Sequence, residues 1–98
     1  MIIKVQRSGG FAGITENLGT VDTDELNKKS ARKVESTVQR LDFFNLPATI
    51  SGGIGADMMH YEVTVTNPGE EYTVTFDDDG SPEAAPLRQL VDLVAELQ

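Results

Sequence analysis

The sequence HYEVTVTNPGEEYTVTF, residues 60–76, contains two runs in which apolar and polar side chains alternate. The apolar positions are Tyr61, Val63 and Val65 in the first run and Tyr72, Val74 and Phe76 in the second. Alternation with a period of two predicts strands that bury one face, because successive side chains of a strand point to opposite sides. Asn67-Pro68-Gly69 between the runs is typical of a tight turn. Residues 60–76 therefore predict a β-hairpin.

A second hairpin is predicted at the N-terminus. Residues 2–7 form the first strand, with Ile3 and Val5 on one face. Ser8-Gly9-Gly10 follows as a turn signal, since glycine reaches positive φ without a Cβ clash. The next run is predicted as the return strand and places Ala12, Ile14 and Leu18 on one face.

One helix is predicted after each hairpin. Asp22 is a candidate N-cap with Glu25 three residues later, and this helix should end near residues 43–45 because Pro47 disfavours α conformation at the residue before it. Pro86 suits the first turn of the second helix. The apolar stripes are Leu26, Val34, Val38 and Leu41 in the first helix and Leu87, Leu90, Val91, Val94 and Leu97 in the second. Residues 47–58 are predicted as a twelve-residue loop containing three glycines.

This order predicts an α+β fold of the type ββαββα. We expect a four-stranded, mainly antiparallel sheet with two helices packed on one face. The chain has 98 residues, so residues 1–98 are predicted to form a single domain.

Composition excludes several classes of function. Eight basic residues stand against 16 acidic ones, a net charge of −8, which argues against binding to nucleic acid or to an anionic membrane. Cysteine is absent and His60 is the single histidine, so we expect no metal site and no cofactor. No apolar run approaches the roughly 20 residues that span a bilayer, and the N-terminus lacks the apolar segment of a secretory signal, so the expected location is the cytoplasm.

Five of the eight basic residues lie within the first predicted helix. They are Lys28, Lys29, Arg32, Lys33 and Arg40. No aromatic residue lies nearby to stack on bases, as single-strand binding would require. We interpret this cluster as a solvated helix face.

Two glycine-rich segments are the candidate binding sites. A phosphate-binding loop carries a Lys-Ser or Lys-Thr pair and leads into a helix, and residues 8–13 have neither feature. The simplest interpretation of this segment is therefore a hairpin turn. Phe11, however, is a large aromatic between glycines, and such anchors often dominate binding energy. Residues 52–57 are either a flexible connection or a second contact loop. The candidate partner-binding residues are Ser8, Gly9, Gly10, Phe11, Ala12, Gly13, Gly52, Gly53, Ile54, Gly55 and Asp57.

Two polar features favour structural interpretations. Residues 77–80, Asp-Asp-Asp-Gly, lack the alternating spacing of a calcium loop and are predicted to be a strand-to-helix turn. His60 is predicted to be exposed on the sheet, with Glu62 on the same face as a possible partner. No triad, carboxylate pair or metal-binding pattern is present, so the chain is not expected to be an enzyme.

The motif RSGGFAGI at residues 7–14 resembles the opening motif of the emfourin family. The resemblance continues in order along nearly the whole chain, through Val21-Asp22, Leu46-Pro47, Gly55-Ala56-Asp57, Tyr61-x-Val63-x-Val65, Tyr72-Thr73-Val74, Asp77-Asp78 and Pro86-Leu87. It implies a small cytoplasmic bacterial inhibitor of thermolysin-like zinc metallopeptidases, notably protealysin-like enzymes. The sequence departs from the expected family pattern at Tyr72, where we expect many relatives to carry histidine.

The resemblance implies an inhibitor, and we hypothesise how its two glycine-rich segments would act. The loop of residues 9–13 would enter the peptidase cleft, Phe11 would fill the apolar pocket beside the zinc, and the loop of residues 52–57 would make a second contact. Asp57 or another acid could approach the metal, but nothing in the sequence selects one.

Two other functions remain open on the residues alone. The first is an acidic, non-enzymatic protein–protein interaction module, and the second is a small enzyme that uses His60 and Glu62. We expect a monomer, although an exposed sheet edge could pair two copies.

Overall fold

The computed structural model describes residues 1–9, 14–50, 60–77, 82 and 84–97. Its strands are β1 (Ile2–Gly9), β2 (Ile14–Asp22), β3 (Thr49–Ile50), β4 (His60–Asn67) and β5 (Glu70–Asp77). Its helices are α1 (Lys28–Leu41) and α2 (Ala85–Glu96), and short 3₁₀ turns form at Thr23–Glu25 and Phe43–Asn45.

The strands form one sheet in the order β2-β1-β4-β5-β3. The α+β class is confirmed, but the prediction of four strands in the order ββαββα is wrong, because β3 adds a fifth strand inside the predicted loop of residues 47–58. β3 pairs in parallel with β5, and the Thr75 amide donates to the Ala48 carbonyl at 2.8 Å. A two-residue strand is too short to show alternation, so the sequence pattern carried no signal for it.

The β4–β5 hairpin is confirmed. Pro68 and Gly69 alone connect the two strands. Gly69 has a φ of +86°, so proline at the first central position and glycine at the second satisfy the requirements of a type II turn. On the face away from the helices, the hydroxyls of Thr64 and Thr73 hydrogen-bond at 2.8 Å across the pair.

The N-terminal hairpin is confirmed with different bounds. β1 continues through Ser8 to Gly9, two residues beyond the predicted strand, and β2 runs from Ile14 to Asp22. The antiparallel register shifts between Val5 and Gln6, where β2 carries an additional residue. Such a bulge breaks strict alternation, which explains why the apolar pattern of the return strand stopped at Leu18.

The predicted start of the first helix is wrong. Asp22 caps only the 3₁₀ turn, accepting from the Asp24 amide at 3.0 Å. α1 begins at Lys28, and its N-cap is Asn27, whose side-chain oxygen accepts from the Ser30 amide at 2.8 Å. Both residues are good N-caps, and the sequence pattern did not distinguish between them.

The first helix also ends earlier than predicted. α1 stops at Leu41, because Asp42 adopts the left-handed conformation with φ of 52°, and Phe43–Asn45 form a separate 3₁₀ turn. α2 carries Pro86 in its first turn, as predicted.

Both helices pack on one face of the sheet, and the core lies between the two layers. Its fully or almost fully buried side chains include Ile3, Val5, Val63, Val65, Val74 and Phe76 from the sheet, Val34 and Val38 from α1, and Leu87, Leu90, Val91 and Val94 from α2. The other face, which we call the open face, carries exposed or half-buried residues such as Lys4, Glu62 and Thr64. Neither helix is long and apolar enough to span a bilayer.

Tyr72 lies at the margin of this core. Its hydroxyl donates to the Leu46 carbonyl, and its ring meets Phe43 edge-on with a centroid distance of 6.0 Å. The residue therefore ties β5 to the segment that follows α1. This position therefore contributes to the packing of the helix-facing side of the sheet.

Candidate functional site

One end of the sheet gathers the ends of several strands, and we call it the loop end. Gly9 pairs with Ile14 across the N-terminal hairpin, and Asp77 pairs with His60 across β4 and β5. β3 runs parallel to β5, so Ile50 also lies at this end. The chain therefore departs into residues 10–13, 51–59 and 78–81 from a single end of the sheet.

The candidate binding residues divide into two groups. Ser8 and Gly9 are described, and both belong to β1 rather than to a turn. Ser8 is half-buried and lies between Thr15 of β2 and His60 of β4. The other candidates, Gly10, Phe11, Ala12, Gly13, Gly52, Gly53, Ile54, Gly55 and Asp57, lie outside the described residues.

The sheet nevertheless brings the two predicted contact segments together at their bases. Because Ser8 is the register partner of His60, the strand that leads into residues 10–13 lies beside the strand that follows residues 51–59. These two segments are about forty positions apart in the sequence. Their attachment to neighbouring strands could not be read from the sequence pattern.

On the helix-facing side, the loop end carries two arginines and a tyrosine. Arg88 of α2 lies over the ring of Tyr61, with its guanidinium carbon 4.9 Å from the ring centroid, and its Nη1 donates to the tyrosine hydroxyl. The Tyr61 ring stacks on Phe76 at 5.3 Å, so the ring is fixed by the core. This cation–π contact links α2 to the edge of the loop end.

Arg7 completes this cluster from β1. Its Nη2 donates to a carboxylate oxygen of Glu16, the register partner on β2. This hydrogen bond raises the pKa of Arg7, and the neighbouring Tyr61 hydroxyl acts in the same direction. The Arg7 Nε is buried without a hydrogen-bond partner. The sequence signal for this cluster is a charged residue, Arg7, at the position that continues the inward-facing alternation of Ile3 and Val5, and the predicted candidate residues did not include it.

On the open face, the loop end carries a side-chain contact between His60 and Asp77. His60 Nδ1 contacts Asp77 Oδ1, and the two side chains are 44% and 12% exposed. The partner of His60 is thus Asp77 on the neighbouring strand, not Glu62 as the sequence spacing suggested. Asp77 closes β5 and was predicted only as part of a turn, so its pairing with His60 required the strand register.

Ser8, His60 and Asp77 are consecutive register partners on three adjacent strands. These are the residue types of a hydrolytic triad, and Nδ1 of His60 faces the carboxylate as a triad requires. Among the contacts of the described residues, however, no hydrogen bond joins Ser8 to His60, which is the contact that activates a serine nucleophile. In the same part of the chain, no group of three or more histidine and acidic side chains could hold a metal ion.

Comparison with known proteins adds one finding. The family model of Emfourin matches residues 5–95, which include most of both hairpins, nearly all of both helices and the strand ends of the loop end. No curated protein and no solved structure matches the chain. Because the match covers nearly the whole chain, the protein belongs to the Emfourin family.

Proposed function

We propose that this protein inhibits a thermolysin-like zinc metallopeptidase of the protealysin type and covers the active-site cleft with its loop end. The single observation that carries the proposal is the family match over residues 5–95. On this proposal the chain is not an enzyme, and it acts in the bacterial cytoplasm. An inhibitor needs only a rigid complementary surface, so it requires no catalytic residues of its own.

The arrangement of the sheet supports this role. A standard interface buries about 1,600 Å² in total, which one four-residue connection does not supply. Residues 10–13 and 51–59 depart from neighbouring strands at one end of the sheet, so both segments can reach the same partner. The core beneath them, with Val63, Val74 and Phe76 fully buried, gives them a rigid base.

Within this site, we propose Phe11 as the anchor in the apolar pocket beside the zinc. The glycines on either side leave room for the two backbones to approach closely. Residues 52–57 would make the second contact, and Asp57 is one acid that could approach the metal.

The test is titration of a purified thermolysin-like peptidase with the protein, with residual activity as the readout. We expect Phe11→Ala to weaken inhibition by about tenfold or more, as loss of an aromatic anchor does. Ile2→Ala is the matched control, since Ile2 is an exposed apolar residue, 41% accessible, at the opposite end of β1. Gly10→Glu should also weaken inhibition while circular dichroism remains unchanged.

Two results would contradict the proposal at different levels. No inhibition of any thermolysin-like peptidase at saturating protein would leave the acidic interaction module as the better function. Inhibition that persists with a change below about threefold in Phe11→Ala would remove only Phe11 as the anchor.

A further inference from the structure

The exposed side of α1 carries a strip of positive charge, which we call the basic strip. It consists of Lys28, Lys29, Arg32, Lys33 and Arg40, all exposed. Together with Ser36 these residues line a shallow groove of about 560 Å³. Because residues four apart lie above one another on a helix, the strip follows one side of α1 along nearly its whole length.

The basic strip is unfavourable for the helix that carries it. Lys28 and Lys29 occupy the first turn, where the positive end of the helix dipole repels cations, and that turn has no acidic residue. Lys28 and Arg32, like Lys29 and Lys33, are like charges at a spacing of four, which repel each other. Folding stability alone therefore does not account for this arrangement, and such local conflicts are expected where a surface has a function.

No carboxylate of the described residues forms an ion pair with the strip. The side-chain pairs of opposite charge type among the described residues are Arg7 with Glu16, His60 with Asp77, and Arg88 with Asp92. None of them includes a residue of the basic strip. Asp92 and Glu96 of α2 line a neighbouring groove with Lys33 and Arg40, so acidic residues flank the strip on that side. The five cations nevertheless form one exposed positive surface without a direct ion pair. Such a surface attracts a partner of opposite charge.

The remaining charge of the chain limits what that partner is. Besides the five residues of the strip, the chain has sixteen acidic and only three basic residues. A long duplex or an anionic bilayer presents negative charge over a wide area and would be repelled by the acidic remainder. A short acidic segment of another protein meets less of that remainder, because it can lie along the strip itself.

We propose that the basic strip of α1 is a docking surface for a short Asp/Glu-rich segment of a partner protein. Lys28 and Arg40 are twelve residues apart, which is about 18 Å along a helix, and charges four residues apart repeat about every 6 Å. An acidic helix with carboxylates at a spacing of four has the same repeat. The proposal does not rest on the peptidase-inhibitor function, because no residue of the basic strip takes part in the contacts of Arg7, Tyr61 and Arg88 or of His60 and Asp77 described for the loop end.

The test is a titration of the ¹⁵N-labelled full chain with a Glu-rich 12-residue peptide at about 50 mM salt. We expect saturable chemical-shift changes centred on α1. Lys29→Glu and Lys33→Glu should each weaken binding about three- to fivefold, since each reverses an exposed charge within the strip. Lys4→Glu is the matched control, because it makes the same change at an exposed lysine on the open face, and it should weaken binding less than about twofold.

The design separates loss of binding from loss of fold. Lys29→Glu places an acid in the first turn of α1, which favours the helix, so this variant should bind less while unfolding at the same or a higher urea concentration. Shift changes away from α1, or equal effects of Lys29→Glu and Lys4→Glu, would overturn the proposal. Tighter binding of a 12-base-pair DNA duplex or of phosphatidylserine vesicles than of the peptide would overturn it as well.

Discussion

The side chains of His60 and Asp77 are in contact across β4 and β5 at the point where both strands meet the loop end. His60 is the first residue of β4 and Asp77 the last of β5, so the pair joins the chain just after residues 51–59 to the chain just before residues 78–81. The contact therefore fixes the base of two segments relative to each other.

The first prediction concerns this pair. A double-mutant cycle of His60→Ala and Asp77→Ala should give a coupling free energy of about 0.2–1 kcal/mol, because His60 is partly exposed. Urea unfolding of the wild type, the two single variants and the double variant measures this coupling. A coupling free energy of zero would show that the contact between the two side chains does not stabilise the strand ends.

The second prediction compares two tyrosine hydroxyls. Tyr61 accepts from Arg88 at the loop end, whereas Tyr72 donates to the Leu46 carbonyl elsewhere. Tyr61→Phe and Tyr72→Phe should each lower the free energy of unfolding by about 0.5–1.5 kcal/mol, as loss of one hydrogen bond does. On the proposed function, only Tyr61→Phe should also weaken peptidase inhibition. Equal inhibition constants for the two variants would place the Tyr61 cluster outside the contact surface.

The third prediction tests the core beneath the loop end. Phe76 is fully buried and stacks on Tyr61, so Phe76→Ala should lower the free energy of unfolding by about 3–5 kcal/mol. Ile2→Ala, at an exposed position, should cost less than about 1 kcal/mol. Urea denaturation followed by circular dichroism measures both. Similar midpoints for the two variants would contradict the placement of Phe76 in the core.

The fourth prediction tests where the first helix begins. Asn27 accepts from the Ser30 amide as the N-cap of α1, whereas Asp22 caps only the short 3₁₀ turn. Asn27→Ala should therefore cost about 1 kcal/mol of stability, and Asp22→Ala should cost less. Helicity and urea midpoints report both changes. A larger loss of unfolding free energy for Asp22→Ala than for Asn27→Ala would show that Asp22 is the principal N-cap.

The fifth prediction concerns the turn between β4 and β5. Gly69 has a φ of +86°, and a Cβ placed there would meet no atom within 4 Å. Gly69→Ala should therefore cost about 1–2 kcal/mol through backbone conformation alone, without any clash. Gly69→Asn should cost less, because asparagine tolerates the left-handed region. Thermal unfolding of the two variants decides the order, and equal losses would show that backbone conformation is not the cause.

Local patterns predicted those elements that are long and regular. The β4–β5 hairpin was identified because its strands alternate over eight residues and a Pro-Gly turn joins them. α2 was identified because its apolar stripe is uninterrupted after Pro86. Local patterns did not predict the N-cap of α1, because Asp22 and Asn27 are both suitable cap residues. They did not predict β3 either, because a strand of two residues shows no alternation.

The candidate site was predicted by a different route. The glycine-rich segments stood out by composition and by resemblance to a family, and the family is confirmed over residues 5–95. The residues at the base of these segments were not predicted as a group. Arg7, Tyr61 and Arg88 are distant in sequence, and only the register of β1 with β4 and the packing of α2 bring them together.

By itself, the sequence determined the strands and helices that carry a regular apolar pattern, the α+β class and the family, because these depend on residue type and on spacing within a single segment. The tertiary structure decided the strand order β2-β1-β4-β5-β3, the pairing of His60 with Asp77, and the meeting of residues 9, 14, 50, 60 and 77 at one end of the sheet. Those relationships depend on which strands become neighbours. Neighbours far apart in the chain are chosen by burial of a shared core, which no local pattern encodes.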